Sequence, residues 1–170
     1  KYIAKNINAV WCPYFADPDQ FKITQEPLFD AVTTRSIEEP FFKQLKQTLG
    51  DKFEARVDFL QGEDHSRHLM KGNVVIQNSK YREISRRIFE GMMANRMVVT
   101  DRPDPNTRID LIFKENEDIV YFDSFEDCVE KVQYYSANHQ ERLRIAQRGF
   151  NTVSSKHTTL NRINKLLQLL

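Results

Sequence analysis

The chain predicts an α/β fold, an open parallel sheet flanked by helices and closed at the carboxyl end by amphipathic helices. Short, mostly apolar, β-rich runs recur through the first two thirds, and helical segments lie between them. The last third drops the β pattern for a helical periodicity. Parallel neighbours need long crossover connections, so this alternation favours β-α-β units. A length of 170 residues fits one domain, residues 1–170, able to bury a sizeable core.

In chain order, residues 7–11, 29–33, 53–59, 73–77, 97–100 and 118–122 read as strands, short and apolar as buried parallel strands should be. Residues 13–27, with Pro13, Asp17, Pro18 and Asp19, read as a loop. Residues 39–49, 63–70, 83–94 and 107–114 read as the intervening helices. Three further helices follow. Phe125, Cys128, Val129, Val132 and Tyr135 share one face, then Leu143, Ala146, Phe150 and Val153, then Leu160, Ile163, Leu167 and Leu170. Ser124 with Asp127 resembles a capping box, Asn138 can end a helix, and Gly149 is the one blemish in the helix that follows.

Composition narrows the partners. Lys+Arg 25 against Asp+Glu 24 leaves no global field to draw the chain to nucleic acid or to an anionic membrane. No apolar run approaches the roughly 20 residues of a membrane-spanning helix. Cys12 and Cys128, with no secretory leader, point to a reduced, cytoplasmic setting without a structural disulfide. A start at Lys1 suggests a piece of a longer polypeptide.

The chemistry concentrates in residues 83–103. Ligands of parallel sheets sit outside the carboxyl ends of the strands, where helix amino termini offer free N–H groups to anions. The predicted ligand is therefore phosphorylated. Glu83 and Glu90 stand two helical turns apart, so a helix starting at Glu83 projects both carboxylates from one face. Solvated glutamates are the plain alternative, yet Glu90 is set between Ile88-Phe89 and Gly91-Met92-Met93-Ala94. A carboxylate packed on a sheet needs donors, and ribose or sugar hydroxyls supply them.

Ser85, Arg86 and Arg87 fall in the first turns of that helix, where cations oppose the helix dipole. Either an anion visits, or the arginines pair with Glu83 or Glu90 or face water. Arg102 similarly meets a diphosphate or pairs with Asp101 or Asp104. Glu63, Asp64, His65 and His68 specify no complete ligand set, so a metal centre is not predicted. A glycine-rich phosphate loop, a serine-nucleophile elbow and a cysteine–histidine pair are all absent from the sequence. The aromatics Trp11, Tyr14, Phe15 and Phe21 read as packing, with a base-stacking platform as the alternative.

An ordered set of motifs carries a resemblance. It runs from Trp11-Cys-Pro13, Asp17-Pro18 and Phe21 through Arg87-Ile-Phe-Glu90-Gly-Met-Met-Ala-Asn-Arg-Met-Val-Val-Thr-Asp101 and Glu117-Asp-Ile-Val-Tyr121. Tyr134-Tyr135, His139, Glu141-Arg142, Ile145-Ala146, Gly149, His157-Thr158 and Arg162 complete it. This set resembles the carboxyl-terminal half of GT-B glycosyltransferases of the group 1/family 4 type, in particular their spore-maturation-protein-B-like branch.

The resemblance implies a Rossmann-like donor domain binding a nucleotide-sugar of the UDP or GDP type, with no cofactor or metal, in a retaining hexosyltransferase. An amino-terminal domain of the same chain would hold much of the acceptor site, and this piece alone would be inactive. The last glutamate of the family's Glu-x7-Glu motif binds the ribose diol and matches Glu90. The first falls on Arg82, so contact with the sugar passes to Glu83 only through a shifted loop. Ser85 matches the small residue where backbone N–H groups meet the diphosphate, with Arg87 or Arg102 stabilising the leaving group. Asn95 replaces the usual glycine at the helix end, a position its left-handed tolerance permits. Thr33-Thr34-Arg35-Ser36 poorly matches the family's glycine-rich segment, and Arg35 is assigned no role. The rival readings are a noncatalytic nucleotide-sugar-binding or scaffold domain and a protein-interaction module built on the last helices.

Overall fold

The computed structural model describes residues 11–168 apart from 23, 57, 59 and 80. Eleven elements form its frame. In chain order they are β1 (Phe29–Ser36), α1 (Pro40–Leu49), β2 (Phe53–Arg56), α2 (Gly62–Met70), β3 (Gly72–Gln77), α3 (Arg86–Met93), β4 (Met97–Asp101), β5 (Val120–Phe122), α4 (Phe125–Ala137), α5 (His139–Lys156) and α6 (Thr159–Leu167). The strands pair in parallel in the order β2-β1-β3-β4-β5. Ala31 lies opposite Val74, and Val74 opposite Met97, so the apolar centres of the three inner strands are in step.

Alternation along these strands feeds two cores. Val74, Ile76, Met97 and Val99 face Phe42 and Leu45 of α1 and Cys128 and Val132 of α4. Val75 and Val98 face Leu69 of α2 and Ile88, Phe89 and Met92 of α3. β4 and β5 are buried on both faces and read as apolar runs, whereas the edge strand β2 alternates buried Phe53 and Ala55 with half-buried Glu54 and Arg56.

The chain reverses direction in the sheet after β2, passing back over β1 to reach β3. The strands on either side of that reversal, β1 and β3, leave a crevice outside their carboxyl ends, the general ligand position of doubly wound sheets. The loop after β3 and the start of α3 lie at this end.

The strand expected at residues 7–11 lies largely outside the described residues, and the run expected at 53–59 stops as a strand at Arg56. Two helices need correction. Residues 107–114 are not a helix: two 3-10 turns, Pro105–Thr107 and Ile109–Leu111, flank Arg108, whose left-handed backbone (φ 58°) breaks any continuous ladder. The helix expected from Glu83 begins three residues later, because Arg82 is left-handed (φ 51°) and Ser85 is extended. Asn95 adopts the left-handed conformation expected of it, at φ 53°. Ser124 caps α4 through its Oγ, which accepts from the Asp127 amide at 3.1 Å. Cys12 is exposed and Cys128 buried, both as free thiols. No helix among the described residues is long and apolar enough to cross a membrane.

Candidate functional site

Thr34 of β1, Arg56 of β2, Leu60, His65 of α2 and Arg86, Arg87 and Glu90 of α3 line a recess of about 170 Å³. Four separate elements meet there because of the reversal in strand order. Glu90 is 3% exposed and accepts from His65 Nε2 at 3.1 Å, while Arg86 Nε lies 2.9 Å from its other oxygen. Burial pushes its carboxyl up, but the His65 hydrogen bond and the charges of Arg86 and Arg87 outweigh burial and hold it below the ordinary range. A buried carboxylate is thus kept ionised on the wall of an otherwise cationic recess.

Arg87 is half-buried and makes no hydrogen bond or ion pair among the described residues. Burial, Arg35, Arg56 and Arg86 depress its proton affinity, and Glu90 alone opposes them. Ser85, the N-cap of α3, is 8% exposed; its Oγ neither caps the helix nor finds another partner. No acidic residue occupies the first turn. The start of α3 thus carries free amides and a buried hydroxyl without a partner, and the Arg87 guanidinium lines the recess with Glu90. An anion is the natural partner of such a helix start.

Glu83 does not share a helix face with Glu90. It sits exposed in the loop before α3, its amide donating to Ser79 Oγ at 3.1 Å. Asp101, at the end of β4, in turn accepts from the Ser79 amide at 2.8 Å and from its hydroxyl at 2.6 Å. That relay fixes the loop across the carboxyl end of the sheet. Arg102 opens on a different recess, of about 430 Å³, with Phe41, Arg82 and Asp123. Its guanidinium donates to Glu115 at 2.9 and 3.0 Å and to Asp123 at 2.8 Å, where Asp101 or Asp104 had been expected. A diphosphate there would have to displace a carboxylate.

His65 and His68 do not act together. His68 Nε2 meets the Thr33 carbonyl at 2.8 Å, and no group of three potential metal ligands forms among the described residues. A hollow of about 530 Å³ lies at the opposite end of the sheet. Its arginines, Arg96 and Arg142, are spent on the terminal carbonyls of α2 and α4, which need such donors. Trp11 and Tyr14 are exposed beside Ile84 and Thr107, so the amino-terminal aromatics are only partly packing.

Residues 34–168 match the profile of a family described as glycosyl transferase-like. The chain belongs to that family. The match begins inside β1 and ends at α6, so it contains the recess and nearly the whole sheet. No curated protein sequence matches the chain.

Solved structures agree with this glycosyl transferase-like assignment in fold. The C-terminal domain of a glycosyl transferase group 1 family protein, LpcC from Francisella tularensis, is 13% identical with a TM-score of 0.56, covering 88% of this chain and 97% of that one. HepE from Anabaena, in complex with UDP-glucose, is 13% identical with a TM-score of 0.68, covering 92% and 56%. Sucrose-phosphate synthase from Thermosynechococcus elongatus is 14% identical with a TM-score of 0.65, covering 92% and 48%. The chain thus spans about half the length of the last two. Its fold is that of a Rossmann-like GT-B domain.

Two residues of the recess, Arg56 and His65, and Arg35 nearby are assigned no donor-binding role by the sequence. A basic residue just past the predicted strand 29–33 was the signal for Arg35, because that is the ligand side of a parallel sheet, whereas Arg56 fell inside the strand expected at 53–59 and gave no such signal.

Proposed function

We propose that this chain is the donor-binding domain of a glycosyltransferase that takes a hexosyl group from a UDP- or GDP-linked sugar. A further domain of the same protein would hold the acceptor. The observation that carries this reading is α3, where among the described residues Ser85 Oγ has no partner at the helix start and Arg87, unpaired, lines one recess with the ionised, buried Glu90. The complexes of HepE with UDP-glucose, and with UDP and glucose, support it.

In this mechanism Glu90 accepts from the ribose hydroxyls. The first amides of α3, Ser85 Oγ–H and the Arg87 guanidinium face the diphosphate. As the bond between the sugar and the terminal phosphate oxygen breaks, negative charge grows on the leaving diphosphate. Donors already in place stabilise that charge without reorganising. Arg56 and Arg87 supply cationic charge of the kind a divalent ion would bring, with Arg86 able to leave Glu90 for phosphate and Arg35 held nearby by Glu39, which is the ground for proposing metal-independent transfer. Retention of configuration rests on the resemblance to group 1 GT-B enzymes. Glu83, on the loop fixed by Ser79 and Asp101, is the acidic group proposed to meet the sugar. Arg102 is proposed to tie β4 to the following segments.

A noncatalytic donor-binding domain is the second reading, favoured by one observation: Arg82 stands at the first acidic position of the family motif, its Nε spent on the Arg102 carbonyl. Thermal-shift titration with UDP, GDP, UDP-glucose and GDP-mannose, with ATP and NAD as controls, tests both readings. One nucleoside-diphosphate series should raise the melting temperature saturably, by about 5–10 °C at a hundredfold excess over Kd. No shift at millimolar nucleotide removes the donor reading. Binding without transfer in the complete protein supports the second.

A further inference from the structure

The sequence offers His65 only as part of an incomplete metal set, yet the structure turns its ring onto Glu90, 25 residues away. The His65 side chain is 15% exposed and the Glu90 side chain 4%. The other clamp on that carboxylate is of a different kind. Arg86 is 65% exposed, so its pairing is screened and its guanidinium can swing to solvent or phosphate. The imidazole is held where it is, because α2 and α3 pack on the same face of the sheet, with Leu69 and Ile88 in one core. The spacing of ring and carboxylate is set by helix packing and does not depend on a flexible side chain.

An ionised carboxylate can only accept, so Nε2 of His65 carries a proton. A carboxylate offers about four lone-pair positions. His65 and Arg86 occupy two of them, which leaves the two that a vicinal diol requires. We infer that His65 is a positioning residue: its Nε2–H fixes the orientation of Glu90 so that the remaining lone pairs meet both ribose hydroxyls, and the site selects ribonucleotides over 2′-deoxyribonucleotides through it. This inference rests on the donor-site reading. It adds a residue from α2 to the recognition of the sugar of the nucleotide.

The test compares UDP with dUDP and GDP with dGDP by calorimetry, in the wild type, His65→Leu and His65→Gln. In the wild type the deoxynucleotide of the preferred base should bind about tenfold or more weakly, the usual cost of losing a hydrogen bond to a charged group. His65→Leu should collapse that ratio to about twofold, chiefly by weakening the ribonucleotide. His65→Gln, whose terminal amide can replace the Nε2–H, should restore it. A merely structural histidine would weaken both ligands together and leave the ratio intact, and that result in His65→Leu overturns the inference. Wild-type binding that ignores the 2′-hydroxyl overturns it as well while leaving a nucleotide-binding domain. Failure of every nucleotide to bind the wild type at millimolar concentration overturns the donor reading and this inference with it.

Discussion

Arg87→Leu should make the domain more stable and a poorer binder of nucleotide. The guanidinium is half-buried without a hydrogen bond or ion pair among the described residues. Its own burial, Arg35, Arg56 and Arg86 disfavour its charge, and only Glu90 favours it. Burial of this partly solvated charge, with the repulsion that Glu90 only partly offsets, costs about 1 kcal/mol, and its apolar replacement falls within the usual gain of about 0.5–2 kcal/mol. For a chain of this size that raises the melting temperature by about 2–6 °C. Binding moves the other way. Losing a charge-assisted bond to phosphate costs about 1.5–3 kcal/mol, roughly a 10- to 150-fold rise in Kd. Scanning calorimetry without ligand and titration with UDP and GDP read the two effects in one preparation. Arg102→Met is the control: its guanidinium is held by Glu115 and Asp123, so stability falls by about 1 kcal/mol or less and nucleotide affinity stays within about twofold. A lower melting temperature for Arg87→Leu, or unchanged nucleotide affinity, would refute the assignment of Arg87 to an anion.

Two further predictions concern the frame. A Cβ added at Gly149 would lie 2.8 Å from the Asp118 carbonyl oxygen and 3.1 Å from Met92 Cγ, and a backbone carbonyl cannot yield cheaply. Gly149→Ala should therefore lose about 1 kcal/mol or more in urea denaturation, because overpacking outweighs the helix-propensity gain of about 1 kcal/mol. Burial, reinforced by Arg162, Lys156 and Lys165, holds the His157 imidazole down to about 4, against 6.5 when unfolded. Between those values the unfolded state binds more protons, so stability falls as pH drops from 6.5 to about 4. After allowance for partial exposure the loss is about 1–2 kcal/mol. Denaturation of His157→Gln across that range should show a flatter profile, and an unchanged slope would place the proton elsewhere.

Glu90 could be read from the sequence because a carboxylate inside an apolar helical run announces its own burial and its need for donors. Glu83 could not, because its placement depends on a left-handed Arg82, a conformation that an arginine gives no local reason to expect. The run 107–114 carries Ile109, Ile112 and Phe113 at helical spacing, and that pattern serves equally well for two 3-10 turns that bury Ile109 and Phe113. Gly149 looked like a flaw in its helix because the neighbour that requires it, the Asp118 carbonyl, lies 31 residues earlier in the chain. His65 and Arg56 belong to the same class of omission. Their elements are plain in the sequence, but only the strand order brings them against α3.

The strongest ground for placing function at the start of α3 comes from the other helices of the same chain. α2 opens with Glu63 and Asp64, α4 with Glu126 and Asp127 under a Ser124 cap, and α5 with Glu141. α1 has Glu39 at its N-cap, and α6 has a reciprocal Thr158–Asn161 capping box. Four of these five place an acid or a side-chain acceptor at their first amides, as helix electrostatics favours, while α1 starts on Pro40 with the Glu39 carboxylate paired to Arg35. α3 has no acid at its N-cap or in its first turn and no side-chain acceptor. It begins with two arginines and with a serine whose buried hydroxyl is unspent. A sequence that mostly follows this rule elsewhere has broken it at the switch point of its sheet, where a bound anion would supply the missing acceptor. Arg86 is answered by Glu90, but among the described residues Ser85 Oγ and the Arg87 guanidinium are not answered, and a local rule left broken in this way is what a ligand-binding site leaves in a fold.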